Sequence, residues 1–183
     1  MCKRCGWVFD SEKMLRYHDE RWCKPVHDDR ELYAMLILEG MQAGLSWSLI
    51  IEREDQIREA FDGLDPEKAA EYDEREEARL LTAPGVIHNR RKIHAAVVNA
   101  RAFRKVQQEF GSFDAYLWRF VDGHPIDHRL ERVEDMPAEN DLSRLVSRDL
   151  KKRGFSFVGP TIAYSYLQGI GVFNDHVIDC DYR

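Results

Sequence analysis

Leu38-Glu39-Gly40-Met41-Gln42-Ala43-Gly44-Leu45-Ser46-Trp47 stands at the junction of two helical patterns. Upstream, Asp28 reads as an N-cap with Glu31 as its capping-box partner, and Leu32, Met35, Leu36 and Glu39 follow at helical spacing. Downstream, Ser46 can cap a second helix carrying Leu49, Ile50, Arg53 and Ile57. Gly40 and Gly44 are expected to end the first helix and turn the chain. Glu39 then falls on or beside a buried stripe, where an acid is unfavourable unless it is paired or placed in a pocket. Leu45 reads as an exposed apolar tip and Trp47 as a flat wall. An acid, a ring and a small wedge together suit a flat, cationic heterocycle. The plainer alternative is a helical corner with a core Trp and a solvated Glu.

Outward from this junction the pattern stays helical. Leu64-Asp65-Pro66-Glu67 reads as a cap with proline at the first helical position, and Asp73 with Glu76 as another capping pair. Ala83-Pro84-Gly85-Val86-Ile87-His88-Asn89-Arg90 is a tight turn before a helix from about Asn89 to Phe110, with Ile93, Ala96, Val97, Ala100 and Phe103 as its apolar stripe. Gly111 stops that helix and Ser112 caps the next. Residues 122–137 read as a loop, and helices follow from Asn140 or Asp141 and from Thr161. The segment 1–27 shows little periodicity and reads as an irregular arm. No alternating pattern demands a sheet, so an all-α fold is expected.

The 183 residues are 44% hydrophobic and 33% charged, which suits a packed globule. No apolar run approaches the roughly 20 residues of a membrane span, and the N-terminus lacks a signal peptide's apolar core, so a cytosolic protein is expected. Nothing in the sequence points away from a monomer. The net charge of −6 argues weakly against nucleic acid, but charge is uneven. From Glu52 to Arg79 there are 12 acids and 5 bases; from Gly85 to Lys105 there are Arg90, Arg91, Lys92, Arg101, Arg104 and Lys105 with no acid. Local charge governs phosphate contact.

Three constellations carry chemistry. The Leu81–Lys92 hairpin offers a glycine turn whose outward N–H groups bind phosphate, followed by bases that neutralise neighbouring phosphates. Cys5 and His18 near one end, with His176 and Cys180 near the other, make a possible tetrahedral metal set, although Cys2, Cys23 and His27 compete on spacing alone. The rings Trp7, Tyr17, Trp22 and Trp47 near Glu39 could hold an extruded base by stacking. Each has an ordinary structural alternative: a helical corner, buried thiols, a packed core.

Taken together, the chain resembles the class I, constitutive 3-methyladenine DNA glycosylases of bacteria, in the helix–hairpin–helix glycosylase superfamily. The matching stretches are Arg4-Cys5-Gly6-Trp7, Tyr17-His18-Asp19, Leu38 to Trp47, Gly85 to Ile93, Lys151 to Phe155, Phe157-Val158-Gly159 and Asn174-Asp175-His176. The resemblance covers nearly the whole chain as one domain, with segments 1–27 and 172–183 stapled by zinc onto the helical core. It implies hydrolytic removal of 3-methyladenine from alkylated double-stranded DNA, leaving an abasic site. It places Glu39, Tyr17 and Trp47 in the base pocket with Trp22 and Trp7 beside it, and Gly44 and Leu45 at the wedge. Gly85, Ile87, Arg90, Arg91 and Lys92 fall at the phosphate hairpin. It selects Cys5, His18, His176 and Cys180 as structural zinc ligands. Many superfamily members carry a catalytic Asp some way past the hairpin glycine; here Ala100 to Gln108 holds no acid. A cationic leaving base already has a weakened glycosidic bond, so selection and orientation are the main demands. Two other readings stay open: a non-catalytic, zinc-stapled binder of damaged DNA, and an unrelated helical interaction module.

Overall fold

The computed structural model describes residues 2–8 and 11–183. Among them the helices are α1 (Glu12–Glu20), α2 (Asp29–Gln42), α3 (Trp47–Ala60), α4 (Pro66–Ala70), α5 (Glu74–Leu80), α6 (Arg90–Phe110), α7 (Phe113–Trp118), α8 (Asp141–Lys152) and α9 (Pro160–Gly169). Two short strands, β1 (Ile126–Asp127) and β2 (Phe173–Asn174), pair in parallel. The all-α expectation holds, with one small strand pair that joins the segment read as a loop to the C-terminal tail.

Side-chain caps set most helix starts. Ser46 accepts from Leu49 N, Asp65 from Glu67 and Lys68 N, Asp73 from Arg75 and Glu76 N, and Ser112 from Ala115 N. Each such cap contributes about 1 kcal/mol. At α2 only half of the expected capping box forms. Asp28 accepts from Glu31 N at 2.9 Å, but the Glu31 carboxylate turns to Arg58 at 2.7 Å. A bidentate charged pair outcompetes the bond back to the cap.

Two further expectations are corrected. The arm contains a helix: Ser11 caps α1, which buries Met14, Tyr17 and His18 on one side. Gly40 does not end α2. It lies inside the helix beside Phe157, and the chain turns only after Gln42.

α2 is the axis of the molecule. Residues Leu32 to Met41 are all buried, so it is apolar around its whole circumference, as a central helix must be. Tyr33 Oη donates to the Ala96 carbonyl of α6 at 2.9 Å, and Tyr166 Oη of α9 donates to the Leu32 carbonyl at 3.0 Å. The α6 stripe read from sequence is buried throughout, and Phe103 stacks on Phe113 at 4.0 Å. The two chain ends meet. Lys3 and Asp181 exchange hydrogen bonds, and Lys24 Nζ donates to the Tyr182 carbonyl at 2.6 Å. This brings α1, the end of α2, the start of α3 and the C-terminal segment to one place.

Candidate active site

Glu39 projects from the last turns of α2 into a cavity of about 210 Å³. That is room for more than ordered water alone, and suits one small planar heterocycle. Trp7, Tyr17, Trp22 and Trp47 line it from the arm, α1 and the start of α3. Glu39 is 3% exposed and meets no hydrogen-bond partner among the described residues. Burial alone pushes its pKa up to about 8. Burial, and then the Glu39 charge, push the Tyr17 phenol well above its ordinary value, so it stays a neutral donor. Tyr17 and Trp47 meet edge to face at 5.4 Å between centroids, and Trp7 meets Trp22 at 4.8 Å. Trp7 Nε1 is the one sealed side-chain polar atom without a partner among the described residues.

Behind Trp22 lies a second cluster. The ligand atoms of Cys5, His18, His176 and Cys180 all lie within 4.8 Å of one another, and all four residues are buried. Cys180 Sγ is 3.3 Å from His176 Nδ1 and 3.7 Å from His18 Nε2, and Cys5 Sγ is 3.6 Å from His176 Nδ1. A tetrahedral ion with bonds of about 2.3 Å to sulfur and 2.0 Å to nitrogen holds such pairs about 3.6 Å apart. The outer ring nitrogens are engaged as second-sphere donors: His18 Nδ1 with Asp19 at 2.8 Å, His176 Nε2 with the Trp22 carbonyl at 3.2 Å. The four residues can therefore hold a metal. The competing candidates fall away. Cys2 is exposed, Cys23 Sγ accepts from Asp175 N, and His27 pairs with Asp114. The His176 ring sits against Trp22 at 4.7 Å, so the cluster forms the back of the cavity wall.

The hairpin between α5 and α6 turns at Gly85, whose φ is +76°. A Cβ there would strike the Gln56 side chain at 2.2 Å, so the position accepts only glycine. The amides of Gly85 and Ile87 have no partner in the fold among the described residues, while Asn89 takes those of Arg91 and Lys92. Arg90 and Arg91 are exposed and form no ion pair among the described residues.

Along residues 7–183 the chain matches the family model described as methyladenine glycosylase. The chain belongs to that family. It is 39% identical to DNA-3-methyladenine glycosylase 1 of Escherichia coli (strain K12), over 97% of this chain and 95% of that one. Among solved structures it superposes on a crystal structure of 3-methyladenine DNA glycosylase I (TAG) with TM-score 0.95, 40% identity and 98% coverage of each chain. A Staphylococcus aureus structure described as the structural basis of 3-methyladenine recognition by this glycosylase also gives TM-score 0.95, at 36% identity, covering 98% of this chain and 95% of that one.

In this glycosylase the fold gathers Glu39, Tyr17, Trp47, Trp22 and Trp7 around one cavity, and the four candidate metal ligands into one cluster. Lys92 is a correction. It is 8% exposed, and its Nζ donates to the carbonyls of Met41 and Ala43 at 2.8 and 2.6 Å. It faces inward and closes the C-terminus of α2, so it is not placed to reach a phosphate. Leu45 is half-buried against the core rather than a bare tip, in the turn where Gly44 has φ +76°. Of the six bases between Gly85 and Lys105, Arg101 donates to the carbonyls of Ala70 and Tyr72, and Arg104 pairs with Glu71. Arg90, Arg91 and Lys105 remain for an external anion.

The sequence reading missed Gln42, Ser165, Gln168, Val133 and Met136, which complete the cavity wall. Gln168 had a signal: it is a polar side chain in the apolar run Ile162 to Ile170 of α9.

Proposed function

We propose that the cavity receives a 3-methyladenine flipped out of alkylated duplex DNA, with Tyr17 and Trp47 against its faces and Glu39 at its edge. As a member of its family the protein is a DNA-3-methyladenine glycosylase, an enzyme of base-excision repair that hydrolyses an N-glycosidic bond. The observation that carries the pocket assignment is Glu39, a buried, unpartnered carboxyl among four aromatic rings. A cationic base entering there draws the carboxyl back towards its ionised form, because an opposite charge in a dry site outweighs part of the burial penalty. A neutral base gains no such attraction, so the pocket selects for charge as well as shape. Water then attacks the sugar as the base leaves, and the carboxylate stabilises the oxocarbenium-like charge that develops.

Gly44 and Leu45 fill the gap that the base leaves. Gly85, Ile87, Arg90 and Arg91 hold the backbone phosphates. The ion at Cys5, His18, His176 and Cys180 is zinc; it supplies no reaction step and holds the two chain ends together behind Trp22. The chain acts as a single domain.

Purified protein incubated with methylated DNA should release 3-methyladenine and leave 7-methylguanine in place. Glu39→Gln should cut release about tenfold or more through the lost charge-assisted contact. Salt-sensitive DNA binding with no base released would point instead to a non-catalytic binder.

A further inference from the structure

The cavity has a second polar group at its edge, and its direction is set from outside the cavity. Gln168 of α9 is buried and lines the wall. Its Nε2 donates to Asp175 Oδ2 at 2.7 Å and to Met136 Sδ at 3.0 Å, so both amide hydrogens are engaged by the protein. Asp175 is fully buried just after β2. The same carboxylate takes Tyr164 Oη at 2.6 Å and His128 Nδ1 at 2.5 Å. Donors thus surround it on three sides. Turning the Gln168 amide over would set its oxygen against a carboxylate oxygen at hydrogen-bond distance, where neither can donate. The amide therefore has one orientation.

Its remaining atom, Oε1, accepts from no donor among the described residues. It is also not among the sealed, unpartnered atoms, so it opens on the cavity. An acceptor that cannot become a donor makes a binary test of a purine's position 6. A 6-amino group donates to it; a 6-oxo group presents a second acceptor and leaves both unpaired.

We infer that Gln168 is a specificity residue for the 6-amino group of the flipped purine, and that Asp175 is the positioning residue that fixes its polarity. The inference rests on the cavity being the purine pocket. It assigns rejection of methylated guanines to a fixed hydrogen-bond polarity, in addition to the selection for charge made by Glu39.

The test compares excision of 3-methyladenine and 3-methylguanine from methylated DNA by the wild type, Gln168→Met and Asp175→Asn. Gln168→Met keeps the volume and removes the acceptor. It should lower 3-methyladenine release about tenfold without lowering 3-methylguanine release, so the ratio falls by about that factor. Asp175→Asn offers Gln168 either polarity and should raise 3-methylguanine release relative to 3-methyladenine. General loosening of the fold would slow both substrates and leave the ratio in place. A selective wild type with an unchanged ratio in Gln168→Met overturns the Gln168 inference alone. A wild type that releases neither base overturns the purine pocket and this inference with it.

Discussion

Glu39 shows how one residue carries opposed demands. Burial raises its pKa from the ordinary 4.5 to about 8, so the folded protein holds a proton there that the unfolded chain has already lost. Stability from this group is fully present below pH 4.5, declines as pH rises towards 8 and is flat above. Glu39→Gln has no such proton to lose. Melting temperature measured across pH 5 to 9 should therefore fall less in Glu39→Gln than in the wild type, with the variant the more stable of the two near pH 9. The difference should be on the order of a few kcal/mol. The same variant should bind free 3-methyladenine more weakly. Parallel pH profiles would mean that Glu39 is solvated or paired. On composition alone the sequence favoured an acid on a solvated corner over an acid in a pocket. Its spacing put Glu39 on a buried face, but no local signal says whether an ion partner waits there. Lys92 was misread for a related reason. A run of Arg90-Arg91-Lys92 looks uniformly cationic, yet a helix turns 100° per residue and the third member faces the core.

At the scale of elements, the long amphipathic segments were legible and the short ones were not. α6 shows its stripe from Ile93 to Phe103 and ends on a glycine, and capping residues mark α3, α4, α5 and α7. α1 has nine residues, of which Met14 and Tyr17 face the core with the polar His18, too few for a period to declare itself. β1 and β2 have two residues each and exist only because two distant loops are brought side by side. The coupling of the hairpin to the turn after α2 is also a product of folding. Lys92 reaches from the first turn of α6 to the last carbonyls of α2, so the hairpin and its helix brace the turn that holds Gly44 and Leu45. Lys92→Met should destabilise the protein by about 1–3 kcal/mol, since two carbonyls lose a charged donor. It should leave the salt dependence of DNA affinity unchanged. Arg90→Ala and Arg91→Ala should instead each reduce the slope of log affinity against log salt by about 1 while leaving the melting temperature in place. A slope change in Lys92→Met matching the arginine variants would restore it to the phosphate contacts.

At the scale of the whole molecule, the cavity wall is built across the full length of the chain. Trp7 comes from the arm, Tyr17 from α1, Glu39 from α2, Trp47 from α3 and Gln168 from α9. No single helix could hold them in register, and the loop of chain from Cys5 to Cys180 is long enough that closing it is entropically expensive. The motif positions along the sequence could reveal a staple between the two ends of the chain, but not that it packs directly behind the cavity wall. The packing of the Cys5, His18, His176 and Cys180 cluster supplies that link. Its His176 ring packs on Trp22, Trp22 on Trp7, and both tryptophans face the space beside Glu39. Removing the ion should therefore be felt in two places at once. Metal analysis should find about one zinc per chain, as one four-ligand site requires. Extraction with a chelator, or Cys180→Ala, should lower the melting temperature by roughly 10 °C, given about 2–4 °C per kcal/mol for a domain of this size. It should also weaken binding of free 3-methyladenine, followed through tryptophan fluorescence, and added zinc should restore both properties to the chelated protein. The pairing of the two effects is the discriminating feature. A cluster that merely anchors the tail would lower stability and leave the affinity alone, whereas a cluster that forms the rear of the base pocket loses both together.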